Sequence, residues 1–249
     1  MKKLLTIAAF AFTAALIPVQ AQTGSPGFGG ATAKLFGDHQ TFTATMEFEI
    51  ADPSTKRPMT MPGKMSFDAG KSRFEMNTAE IKGAQMPAGA AEQLKAMGMD
   101  LTVSISRPDK NVAYIIYPGM QSYIETPLPK KAAATNEVDF KTEITELGKE
   151  TVDGHECMKN KVVVTDNDNV AHESTVWNAT DLKKFPVKIE TNEEGQKLVM
   201  RFKTVAFEKP AAGGFEVPAG LTKYTSVPAM MQAVMMKQMG GALAHPPGQ

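Results

Sequence analysis

The chain is 249 residues long, with 27 Lys and Arg against 27 Asp and Glu, 42% hydrophobic residues and one cysteine. An even charge balance creates no field that draws nucleic acid, and no window joins clustered Lys/Arg to interleaved aromatics, so nucleic-acid binding is excluded. The lone Cys157 excludes an intramolecular disulfide.

Lys2-Lys3, the apolar run from Leu4 to Ile17 and the small-residue pattern Val19-Gln20-Ala21 read as a secretory signal over residues 1–21, cleaved near Ala21. The run is shorter than the roughly 20 apolar residues of a membrane span. The mature chain is therefore expected to carry no transmembrane segment and to be periplasmic or secreted, with peripheral contact to the envelope. Residues 22–35 open on Gly, Ser, Pro and Thr, which bury too little apolar surface to order themselves, so a flexible lead is predicted, with order beginning near Phe36.

From Thr41 to Ile50, Phe42, Ala44, Met46, Phe48 and Ile50 share one side and the Thr and Glu residues the other, the period of a half-buried antiparallel strand. The three prolines between Asp52 and Pro62 predict a loop. Lys64 to Asp68, Ala69-Gly70 and Arg73 to Met76 then read as a hairpin. Pro87 opens and Gly98 closes a short helical stretch rich in Ala, Gln, Leu and Lys, too weakly apolar to form core and suited to covering an opening or an edge.

The stretch Ser104 to Tyr123 organises the middle of the chain, with turns at Arg107 to Asn111 and at Pro118-Gly119 separating antiparallel strands. Leu101, Val103 and Ile105 face one way, while Val112 to Tyr117 is apolar on both parities, which predicts cover on both faces. Lys130 to Asn136 is a polar connection. Strands follow at Thr142 to Leu147, Met158 to Thr165, His172 to Trp177, Val187 to Glu190 and Leu198 to Phe202, with hairpin turns at Asp153-Gly154 and Asp166 to Asn169. Asp181 to Pro186 reads as a capped helical turn ending at the proline. The acidic turn at Asp166 lacks the ligand number and the Gly bend that calcium needs. Between Lys209 and Gly220, Pro and Gly end regular pairing. The remaining stretch, 226–249, places Val227, Met230, Met231, Val234 and Met235 on one helical stripe, ended by Gly240-Gly241, ahead of a disordered tail.

Residues 36–225 thus predict one mainly β (α+β) domain: a single curved antiparallel sheet or incomplete β-barrel with short covering helices. The hairpin Gly63 to Met76, the turn Arg107-Pro108-Asp109-Lys110 before an aromatic strand, Leu147-Gly148-Lys149-Glu150 with Gly154 and Cys157 to Val164, and Phe185-Pro186-Val187-Lys188-Ile189 resemble the secreted domains related to the outer-membrane lipoprotein carrier, LolA. The resemblance is to a branch of unknown function in that superfamily. It implies a strongly curved, incomplete barrel whose concave apolar face is lidded by helices, the cavity that takes lipoprotein acyl chains in the carriers.

The leading functional expectation is a non-enzymatic binding or carrier-like protein with an apolar groove for a lipid, an acyl chain or a lipoprotein or other polypeptide, with Phe48, Phe67, Met76, Tyr114 and Trp177 as groove residues and no cofactor. The 17 methionines supply an adaptable apolar surface. The alternative is copper handling, since thioether sulfur suits Cu(I) and Met59/Met61 and Met97/Met99 form i, i+2 pairs. For an enzyme, His39, His155, His172 and His245 lack metal-ligand spacing, no nucleophile elbow surrounds a serine, and His155 and Cys157 share a strand face without an orienting third group.

Overall fold

The computed structural model describes residues 31–51, 57–83, 89–128, 140–166, 169–193 and 196–243. The expected signal segment, Pro87, the connection 130–136 and His245 lie outside the described residues. Twelve strands form one sheet: β1 (Thr41–Ala51), β2 (Pro58–Asp68), β3 (Lys71–Asn77), β4 (Leu101–Arg107), β5 (Val112–Tyr117), β6 (Ser122–Pro127), β7 (Lys141–Val152), β8 (His155–Thr165), β9 (Ala171–Ala179), β10 (Phe185–Glu193), β11 (Gln196–Ala206) and β12 (Thr222–Tyr224). Their order is β12-β6-β5-β4-β3-β2-β1-β11-β10-β9-β8-β7, open at both ends. All neighbours are antiparallel except β12, which joins β6 in parallel. The predicted curved, unclosed antiparallel sheet is what forms, with that one parallel strand added at its edge.

The curl of the sheet is visible in its aromatics. β1 and β10 are separated by β11, about 10 Å apart at ordinary strand spacing, yet the rings of Phe42 and Phe185 lie 4.9 Å centre to centre. Phe36 sits in the concavity against Phe42, Phe67, Phe185 and Phe202 at 4.9, 5.6, 6.0 and 5.5 Å. It arrives there from a one-turn helix, α1 (Ala31–Lys34), so helical order lies within the stretch expected to be a flexible lead. Burial of Leu35 and Phe36 explains this, because two apolar side chains docked in the core anchor the turn before them.

The turns follow local sequence. Ala69-Gly70 and Asp153-Gly154 carry the left-handed backbone of two-residue hairpins. Asn111 and Gln121 close one-turn 3-10 helices that begin at Pro108 and Pro118. α2 (Ala90–Ala96) buries none of its residues. It ends at left-handed Gly98, where the Met99 N–H reaches the Leu94 carbonyl and the Gly98 N–H the Lys95 carbonyl.

Four expectations change. Of the expected loop before Gly63, residues 52–56 lie outside the described residues and 58–62 are the first half of β2, because the β2–β3 ladder stops at the Gly63–Met76 pair and leaves only a single Thr60–Lys82 bridge on that side, away from Pro58 and Pro62. Asp181 to Lys184 is an irregular turn with left-handed Lys183 and Lys184, and Pro186 lies inside β10 beside a bulge, not at a helix end. The strand at Thr142 continues past Gly148 through a bulge to Val152. The last helix, α3 (Val227–Leu243), runs through Gly240-Gly241, and along its expected stripe Met230 is wholly buried while Val227 is exposed.

Candidate functional site

Residues opposite one another on paired strands share a face, so the register can be read as rows across β1 to β6. One row is Phe42, Phe67, Ser72, Ser106, Ala113, Thr126; the next is Ala44, Met65, Phe74, Ser104, Ile115, Ile124; a third is Met46, Gly63, Met76, Thr102, Tyr117, Ser122. The Phe36 cluster marks this as the inner face. None of these positions carries Lys, Arg, Asp, Glu or His. In the first row Phe42 and Phe67 give way to Ser72, Ser106, Ala113 and Thr126, while the other two keep Phe74, Met76, Ile115, Tyr117 and Ile124 on β3 to β6.

The hydroxyls differ in their partners. Ser122 Oγ donates to the Met120 carbonyl at 2.8 Å. Ser72, 1% exposed, and the side-chain oxygen of Thr126 are buried with no hydrogen-bond partner. Burial pushes the Tyr117 phenol above its ordinary value, so it stays neutral on this face.

The outer face of the same strands is also covered. Val103, Ile105 and Ile116 are buried there with Phe215, and Tyr114, Tyr123, Val217 and Leu221 pack around them. The cover is the segment 209–221, a strap laid across β3 to β6, which accounts for a β5 that is apolar on both parities. Arg73 Nη1 donates to the Gly214 carbonyl at 3.1 Å and Arg107 Nη1 to the Phe215 carbonyl at 3.2 Å. The Arg107 guanidinium also forks onto Asp109 at 2.8 and 2.7 Å and meets Glu216, whose carboxylate takes Lys110 as well. Hydrogen bonds from Arg107 hold the Asp109 and Glu216 carboxyls below their usual range, and the Asp109 bond raises Arg107 in turn.

The register separates the five expected groove residues. Phe48, Phe67 and Met76 share the inner face, the first two buried in the main core and Met76 half-buried against it. Tyr114 lies on the outer face beneath the strap, 6.2 Å from Tyr123. Trp177 stands in the row Lys159, Trp177, Lys188, Arg201, Glu47, on the opposite side of the sheet from Val176, Ile189, Met200 and Phe48. Its ring lies under the Lys188 ammonium at 4.0 Å and the Lys159 ammonium at 5.0 Å, and its N–H donates to Glu150 at 3.0 Å.

The methionine pairs lie apart in the chain's architecture: Met59 and Met61 share the inner side of β2, while Met97 and Met99 flank the end of α2. Among the described residues no group of three or more His, Cys, Asp and Glu is placed to hold a metal ion. His155 does have an orienting carboxylate, Asp181 at 2.7 Å. Cys157, however, is buried, gives its thiol to the His155 carbonyl at 3.4 Å, and is pushed up by desolvation, the reverse of what a thiolate nucleophile needs.

Sequence reading missed the inner hydroxyl row and the strap. The signal for the row was the Ser104/Ser106 parity of β4, which the apolar parity of Val103 and Ile105 outweighed.

A family model described as Domain of unknown function (DUF4412) matches residues 42–185, more than half of the chain. No curated protein matches the sequence. Among solved structures the chain is similar to a LolA superfamily protein of Nitrosomonas europaea, at 9% identity over 74% of this chain and 93% of that one, with a TM-score of 0.39. It is also similar to LprF of Mycobacterium bovis, at 12% identity over 80% and 100% with a TM-score of 0.37. A third is the lipoprotein LppX of Mycobacterium tuberculosis, at 9% over 72% and 94% with a TM-score of 0.38.

Proposed function

The chain belongs to the DUF4412 family of domains, and on that premise we propose that it is a non-enzymatic binding or carrier-like protein of the cell envelope. Its inner sheet face takes the apolar part of a lipid, an acyl chain or a lipoprotein. The observation that carries this reading is the uncharged inner face of β1 to β6, whose three rows hold only apolar, aromatic and hydroxyl-bearing residues and glycine. The absence of charge suits a neutral apolar guest.

Two further features support it. α2 buries nothing and meets the turn after β5 through Gly98 and Gly119, as a cover at the rim does. No helix of the described residues is long and apolar enough to cross a membrane.

The test is displacement of a fluorescent acyl probe from the purified protein by monoolein, with solvent extraction of the protein for lipid carried through purification. Saturable, competable binding is expected. The absence of both displacement and carried lipid would sink the reading. Trp177 stands on the far side of the sheet from Phe48, so its emission is expected to change little on binding, and the probe is the readout of choice.

A further inference from the structure

We propose that the free edge of β7 is a docking site for a second copy of this chain, joined antiparallel about a two-fold axis that passes between the two Ile144 residues. β7 closes one end of the sheet, and among the described residues no strand pairs with its outer edge. Lys141 to Leu147 are all exposed, with Ile144 at 67% and Leu147 at 52%. A long edge strand with unpaired backbone donors and acceptors and apolar side chains in water is a template for another strand. The opposite edge, β12, is three residues long and offers an incoming strand little to pair with.

The sequence of β7 selects both the partner and the register. A bulge between Glu146 and Gly148 ends the regular ladder and leaves Lys141 to Glu146 as the straight stretch. A two-fold axis perpendicular to the sheet sets residues of the same face opposite one another, so one residue of the stretch must face its own copy. Two choices of that residue pair five positions within the stretch, 141–145 about Glu143 and 142–146 about Ile144. Centred on Glu143, the join sets two carboxylates directly against each other, which is destabilising. Centred on Ile144, it sets Ile144 on Ile144, Thr142 on Glu146 and Glu143 on Thr145, with no like charges directly opposed. Lys141 keeps its ion pair with Glu143 of its own strand, at 2.7 Å. In that register β7 is complementary to itself.

Ile144 faces Val162 of the main core, in a row that runs through Ser174, Thr191 and Leu198 to Ile50, so it stands on the inner side of the sheet. The join therefore sets the inner faces of two protomers on one side of a continuous sheet and covers an apolar side chain that each copy alone leaves in water. Pairing consumes the long edge of both copies, so the assembly stops at two. A contact of this extent belongs to the small, weak class of interfaces, and its occupancy follows protein concentration.

The experiment is sedimentation equilibrium of the purified protein from about 10 to 500 μM, a range suited to a weak interface, together with Ile144→Lys. Ile144→Cys and Thr142→Cys are treated in parallel with diamide as thiol oxidant. A dimer fraction that grows with concentration is expected. Ile144→Lys is expected to raise its dissociation constant at least about tenfold, because two ammonium groups then meet on the axis. Ile144→Cys is expected to form an intermolecular disulfide, since directly opposed Cα atoms of paired strands stand about 4.5–5.5 Å apart, within disulfide reach. The two copies of Thr142 lie four residues apart along the join, about 14 Å, and Thr142→Cys is expected to stay reduced. The parent, whose single thiol is the buried Cys157, is expected to do the same. Both substituted positions are exposed, so none of these variants touches the core. A monomer at every concentration overturns the proposal and leaves the edge to a foreign strand. A dimer untouched by Ile144→Lys, or one in which Ile144→Cys links no faster than Thr142→Cys, overturns it too, because the copies then meet elsewhere or in another register.

Discussion

Arg107 on β4 holds Glu216 of the strap, 109 residues further along the chain, and the same guanidinium caps the Phe215 carbonyl. That contact places the Phe215 ring over Val103, Ile105 and Ile116 and gives the sheet a second, outer core. Past the strap the chain runs alongside β6 as β12 and continues into α3.

Arg107→Ala is expected to destabilise the protein by about 2 kcal/mol. Arg107 is 8% exposed, but its carboxylate partners are about half exposed, so the loss falls below the 3–5 kcal/mol typical of a fully buried pair. Arg107→Lys keeps the charge but loses the fork and is expected to fall between. Urea denaturation measures both; a wild-type midpoint for Arg107→Ala would show that the strap is held elsewhere.

The strap is expected to loosen in acid. Asp109 and Glu216 have folded-state values depressed below their ordinary 3.8 and 4.5 by hydrogen bonds from Arg107. A depressed carboxyl contributes stability that is fully present above its unfolded value and lost as pH falls through the folded one. Amide exchange over 209–221 is therefore expected to be slow and nearly level from pH 7 to about 5, once corrected for intrinsic rates, and to accelerate below about pH 4. Glu216→Gln is expected to flatten that acid dependence and to raise exchange at neutral pH.

Phe36→Ala is expected to cost about 3–5 kcal/mol, the range for a fully buried aromatic removed without collapse of its site. Four rings surround it within 6.0 Å, and they belong to four different strands that cannot close the gap together. Chemical denaturation reads the loss directly; a cost under about 1 kcal/mol would mean that the rings repack.

Gly98→Ala is expected to destabilise by about 1–3 kcal/mol. Its φ of +71° is left-handed, and a Cβ there would stand 2.5 Å from the Gly119 carbonyl carbon, against backbone that cannot rotate away. A thermal melt checks the size, and Gly119→Ala, which meets Gly98 at 2.7 Å from the other side, is expected to act in the same direction.

Much of the sheet was legible because its signals are local. Ala69-Gly70, Asn111, Asp153-Gly154 and the β1 alternation each act through backbone sterics or the two-residue period of one strand. β2 was partly obscured because Pro58 and Pro62 discourage a strand reading, and their tolerance depends on a neighbour, β3, that starts its ladder only at Gly63.

The site was less legible. Phe48, Phe67 and Met76 lie on one face of the sheet by register, whereas Tyr114 and Trp177, expected in the same groove, lie on the other. Alternation states that a strand has two faces. It does not state which face is concave, nor that Val103 and Ile105 find their cover in Phe215.

What the sequence determined by itself is therefore the turn chemistry, the alternation and the open antiparallel class. Only the tertiary structure decided that Ser72 and Thr126 end a row of small residues on the inner face and that Arg107 fastens a strap on the outer one. The reason is physical: backbone preference is set by a residue and its immediate neighbours, whereas the face a side chain meets, and the partner it lacks, depend on strands and segments up to a hundred residues away.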